Sequence, residues 1–133
     1  MIDVEAKIYP PVAAALRATF PGIEVSGDYT KVPPKFPFVS IVEADNATSQ
    51  NRMDTSDVEK FATVMYEINV YSDKAEGKKS ECKAIMSFID EIMYRMNFTR
   101  IALAPVPNLS KPTIYRMIAR YRAETDGTRL YRR

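Results

Sequence analysis

Histidine is absent from the 133-residue chain, which removes the commonest general base and the commonest metal ligand. The four glycines lie far apart, so they cannot form a glycine-rich loop around a phosphate. Cys82 is the only cysteine, which excludes an intrachain disulfide and leaves a thiol without a histidine to activate it. The sequence therefore predicts a protein that is not an enzyme and that holds neither a metal nor a cofactor.

Long hydrophobic runs are also missing, and no stretch approaches the roughly 18 apolar residues that a membrane span requires. The first residues carry Asp3, Glu5 and Lys7, a pattern unlike that of a signal peptide. Composition is ordinary for a globular protein, with 46% hydrophobic and 27% charged residues and a net charge of +2. These features predict one soluble, intracellular domain over residues 1–133, with no membrane partner.

Apolar residues recur at every fourth position near the start of the chain, which predicts a first helix over residues 3–19. Pro10 and Pro11 fall inside it, and each lacks the N–H that a helix interior uses. Two alternatives follow: the helix kinks at the prolines, or a short turn precedes a helix that begins near Pro10.

The rest of the chain alternates between strand and helix patterns. Strands are predicted at residues 23–26, 38–43, 61–71, 98–103 and 113–124, and a long helix at residues 74–96 after the N-cap candidates Ser72 and Asp73. Residues 45–57 are polar and predict a mobile loop, and residues 127–133 form a basic tail. The fold class expected is α+β, with a mainly antiparallel four- to five-stranded sheet and two amphipathic helices packed on one face.

Charge is unevenly distributed. Residues 116–133 hold six arginines and two acids, a net +4, whereas residues 43–60 hold five acids and two bases, a net −3. Three alternatives account for the arginines: a solvated face, a head-to-tail contact between copies, or nucleic-acid binding. The candidate subunit-interface residues are Arg116, Arg120, Arg122, Ile114, Ile118, Tyr131, Asp54 and Asp57.

Three stretches, together with the order of elements, carry a resemblance. They are residues 36–41 (FPFVSI), 66–72 (YEINVYS) and 114–121 (IYRMIARY). With them, the chain resembles the tail-terminator, or tail-completion, proteins of long-tailed bacteriophages and prophages, the family of the lambda tail terminator and the tail-to-head joining proteins. None of the three stretches is a chemical motif, so the resemblance is one of pattern.

The resemblance implies a structural protein that forms a hexameric ring on the end of the tail tube. Its partners would be its own copies, the tail tube protein and the head-completion or connector protein. It would reside in the virion tail and assemble in the cytoplasm of the bacterial host. The resemblance implies no catalytic residue. The alternative function is a small nucleic-acid-binding module that uses the arginine-rich strand, without sequence-specific recognition.

Overall fold

A computed structural model describes residues 1–30, 33–48, 61–106 and 113–132. Two helices and six strands follow one another along these residues. They are α1 (Glu5–Thr19), β1 (Glu24–Ser26), β2 (Phe38–Thr48), β3 (Ala62–Ser72), α2 (Lys78–Arg95), β4 (Thr99–Val106), β5 (Tyr115–Thr125) and β6 (Leu130–Tyr131).

The six strands form one mixed sheet in the order β1-β2-β3-β5-β4, with β6 paired to the end of β5. Only β1 and β2 run parallel, and the other described pairs are antiparallel. The predicted α+β class with a mainly antiparallel sheet is confirmed, but the predicted count of four to five strands is too low. The additional strand is β6. The basic tail forms it by turning at Gly127 (φ 94°) and pairing with the end of β5.

One face of the sheet carries the main hydrophobic core. Alternate residues of β3 point into it, with Val64, Tyr66 and Ile68 all fully buried. Residues from both helices belong to the same cluster, for example Leu16 of α1 and Ile89 of α2. The predicted packing of two amphipathic helices on one face is thereby confirmed, and the opposite face of the sheet carries no described helix.

Helix α1 continues through Pro10 and Pro11, so the alternative of a helix that begins near Pro10 is wrong. Each proline removes one backbone hydrogen bond from the helix interior. Burial of Ile8, Val12 and Leu16 on the sheet compensates, because these side chains lie on both sides of the proline pair and have no exposed surface.

Three predicted boundaries are wrong by three or more residues. Strand β4 extends to Val106, not to residue 103. Helix α2 begins after Gly77, not at residue 74, so neither Ser72 nor Asp73 is its N-cap. The Ser72 hydroxyl instead donates to Glu81 in the first turn of the helix (2.6 Å). Strand β2 extends to Thr48, so the predicted polar loop over residues 45–57 begins too early. Backbone pairing with β3 past a bulge after Glu43 extends the strand despite its polar side chains. The remaining predicted loop, residues 49–57, lies outside the described residues.

Candidate interaction surfaces

The arginines of β5 occupy the sheet face opposite the helices, which we call the open face. Strand β5 is an interior strand of the sheet, between β3 and the edge strand β4. Because side chains alternate along a strand, Arg116, Ile118, Arg120 and Arg122 all point to this face, whereas Ala119 points into the core. The even-numbered positions of the three arginines in the predicted strand 113–124 predict this shared face from the sequence, and the structure confirms it.

Two of the arginines already have partners within the chain. Arg120 donates from Nε and Nη2 to Oε1 of Glu67 on β3, at 3.2 and 3.1 Å. Arg116 donates from Nε and Nη2 to Oδ1 of Asn69, at 2.9 and 2.7 Å, and its guanidinium lies 5.4 Å from the centre of the Tyr71 ring. The local positive charge is thus smaller than the count along the sequence suggests, since Glu67 neutralises Arg120.

The other candidate interface residues are less available for a contact between copies. Ile114 is only 6% exposed and packs in a small second cluster with Phe38 and Tyr71, so it is not available as an exposed apolar contact. Tyr131 is 38% exposed on β6, and its hydroxyl donates to Asp126 Oδ2 at 3.1 Å. Asp54 and Asp57 lie outside the described residues. A contact between the arginines and these two acids therefore stays a prediction.

A groove lies between α2 and β4, which forms one edge of the sheet, and sequence reasoning missed it. It has a volume of about 290 Å³, and its lining residues are Lys83, Met86, Ser87, Asp90, Arg100, Leu103 and Met117. Within it, Asp90 accepts a hydrogen bond from the Tyr121 hydroxyl (3.0 Å) and forms an ion pair with Arg100 (3.2 Å). Leu103 of β4, which lines the groove, is 41% exposed, and the nearby Ile101 is 40% exposed. The sequence feature that could have indicated this groove is the pair Ile101 and Leu103, two apolar residues in a strand that forms an edge of the sheet.

An acidic cluster lies near the other edge of the sheet. Asp3 and Glu5 at the start of α1 join Glu43 and Asp45 of β2 there. Burial raises the pKa of the Glu43 carboxyl, the hydrogen bond from Asn46 (3.3 Å) lowers it, and the charges of the three neighbouring acids raise it further. Sequence reasoning found the acids of residues 43–60, but it could not place the first residues of α1 beside them.

Cys82 is fully buried on α2, where its thiol lies 3.5 Å from the Tyr115 carbonyl oxygen. Burial, together with the charge of Glu81, raises the pKa of this thiol to about 12. Since the thiolate is the reactive form, Cys82 is a poor nucleophile in the folded chain.

Two further findings concern only the described residues. They include no group of three acidic or cysteine side chains arranged to hold a metal ion. Neither described helix is both long and apolar enough to cross a membrane.

Taken together, the described surfaces define an α+β domain with helices on one face, an arginine-bearing open face and two chemically different edges. No protein-family model and no curated protein matches the chain.

Proposed function

We propose that this protein is a structural subunit of a long-tailed phage or prophage tail. In this role it caps the tail tube as a ring of copies and provides the surface to which the head connector docks. The observation that carries the proposal is the arrangement of surfaces on the sheet: α1 and α2 cover one face, and the arginines occupy the other. The two lateral edges also differ, because basic and apolar residues lie at the β4 edge and acidic residues lie at the β2 edge.

A ring subunit must contact its neighbours through two different surfaces and still present surfaces along the ring axis. The two edges of this sheet are suited to the lateral contacts because one is basic and apolar whereas the other is acidic. The open face and the ends of the strands are then left for the tube protein and the connector. Arg122 also points to the open face, where the residue is half-buried.

The proposal is tested by a stop codon in this gene, placed in the phage or prophage that carries it. Without the protein, tail tubes should grow to irregular lengths and fail to join heads, as electron microscopy of the lysate would show. Adding the purified protein to the headless tails of this lysate should cap them and restore joining to heads. A Cys82→Ser variant serves as a matched control, because its buried thiol takes no part in the proposed contacts. Normal tails joined to heads in the absence of the protein would contradict the proposal.

Nucleic-acid binding is the second candidate function. The observation in its favour is that Arg116 and Arg122 share the open face, where guanidinium groups are suited to the phosphates of a nucleic acid. Binding to single-stranded or duplex DNA should then weaken steeply with salt, and Arg122→Gln should reduce that dependence. If Lys79→Gln, which removes a charge from α2 on the opposite side of the sheet, weakens binding equally, the open face is not the binding site.

A further inference from the structure

The two edges of the sheet differ from its interior in their strand pairing. Among the described strands, β4 pairs only with β5, and beyond Ser40 β2 pairs only with β3. The outer sides of residues 100–104 and 42–47 therefore carry backbone groups without a described strand beside them. Such edges are templates for another strand, and proteins commonly protect them with charge, proline or a cover. On β4 only Arg100 and Pro105 provide this protection, while Ile101 and Leu103 remain exposed.

Strand direction makes these two edges compatible with each other. Each neighbouring pair from β2 through β3 and β5 to β4 is antiparallel, so β2 and β4 run in opposite directions. A second copy that is rotated about an axis nearly parallel to the strands keeps its strand directions. Its β2 would then lie antiparallel to β4 of the first copy, with the helices of both copies on the same side of a continuous sheet.

The charges beside the two edges are complementary. Next to β4, the groove carries the cations Lys83 and Arg100, of which Arg100 is shared with Asp90. Next to β2, the acidic cluster holds four carboxylates; burial raises the pKa of the Glu43 carboxyl, and repulsion from Asp3, Glu5 and Asp45 adds to that effect. A cation from a neighbouring copy would relieve this repulsion. Exposed Leu103 and Ile101 provide the apolar centre that such a contact needs, since exposed ion pairs alone are weak.

We infer that the edge strand β4 and the groove beside it bind the β2 edge and the acidic cluster of a second copy, head to tail. The inference rests on the proposed function, because it identifies the lateral contact of the ring. It places that contact at the edges of the sheet, whereas the arginines of β5 lie on an interior strand. Because the two surfaces differ, an open chain of copies has a free β4 edge at one end and a free β2 edge at the other. Further copies can therefore add until the two ends meet and the ring closes.

Cross-linking between two engineered cysteines tests the geometry. Ala47 of β2 and Ala102 of β4 are both exposed, and their register partners Thr63 and Arg120 place both of them on the open-face side. The variant Ala47→Cys/Ala102→Cys, treated with a short bifunctional thiol reagent, should give a ladder of dimers, trimers and larger species. Native Cys82 does not interfere because it is buried.

The single variants provide the control. Ala102→Cys alone should remain uncross-linked, because β4 edges do not meet each other in a head-to-tail contact. A dimer from the single variant would instead demonstrate a symmetric β4–β4 contact and overturn the inference. A double variant that stays monomeric at the highest attainable concentration would overturn it as well.

Charge reversal tests the chemistry. Lys83→Glu/Arg100→Glu should weaken association about tenfold, since two attractions become repulsions of similar size. Adding Asp45→Arg to the same chain should restore part of the loss. Lys74→Glu, a change at another exposed lysine that does not line the groove, should leave association unchanged. Equal loss in Lys74→Glu, or no loss in the groove variant, would contradict the inference.

The two proposals fail in distinguishable ways. If the cross-linked ladder forms but the protein neither caps tubes nor restores head joining, the lateral contact stands and the proposed function is wrong. If tails require the protein but the double-cysteine variant gives no ladder on them, the function stands and the contact lies elsewhere.

Discussion

The hydroxyl of Tyr66 offers a sensitive test of the core. Tyr66 lies fully buried at the middle of β3, and its ring packs edge-on against Phe98 with ring centres 5.8 Å apart. Its hydroxyl oxygen is buried without a hydrogen-bond partner. A buried polar group without a partner costs about 1–3 kcal/mol, and replacing it by an apolar group of the same shape is neutral or stabilising. We therefore expect Tyr66→Phe to raise the free energy of unfolding, by about 1 kcal/mol.

Tyr121 is the matched control on the neighbouring strand β5, directly opposite Tyr66 in register. It is equally buried, but its hydroxyl donates to the Asp90 carboxylate at 3.0 Å. Tyr121→Phe deletes the same atom and loses a hydrogen bond to a charged acceptor, which is worth about 1.5–3 kcal/mol. The two substitutions should thus change stability in opposite directions.

Urea unfolding followed by circular dichroism measures both effects, with the dependence on urea concentration expected to stay unchanged. A loss of more than about 1 kcal/mol in Tyr66→Phe would refute the reasoning, because it would mean that the hydroxyl has a partner in the folded protein.

Three other predictions concern the same core. Ile89 of α2 is fully buried, so Ile89→Ala should cost about 2–5 kcal/mol in urea unfolding; a loss below about 1 kcal/mol would place this helix face in solvent. Burial raises the pKa values of Tyr66 and Tyr121, so the folded chain keeps protons that unfolded tyrosines lose near pH 10. The free energy of unfolding should therefore stay constant through neutral pH and fall above about pH 10. Thermal melting measured across alkaline pH tests this, and a melting temperature that does not fall would contradict the raised tyrosine pKa values. Cys82 should react with a thiol reagent only as fast as the protein unfolds, and rapid labelling of folded protein would contradict its burial.

The sequence predicted the elements whose side chains show a clear period. The alternation in β3 and the helical spacing from Cys82 to Met93 placed the core face correctly, because burial on one face imposes these periods. The alternation of Arg116, Arg120 and Arg122 likewise placed them together on one face of β5. These inferences required only the geometry of a single element.

Features that depend on contacts between distant segments could not be predicted in the same way. Strand β2 continues through Asp45 and Asn46 because β3 pairs with its backbone, and neither side chain signals this. The tail becomes β6 for the same reason. Side-chain partners on neighbouring strands could not be predicted either. Glu67 lies 53 positions before Arg120 in the chain, yet its carboxylate neutralises that arginine. The groove beside β4 required knowing which strand forms the edge.

The most direct test of the central claim is to locate the protein on assembled particles by cryo-electron microscopy of isolated tails, with a small tag on the chain as a marker. The account predicts a ring of copies at one end of the tube, the end that joins the head, and none along its length. Marker density along the whole tube, inside the capsid or nowhere on the particle would contradict it.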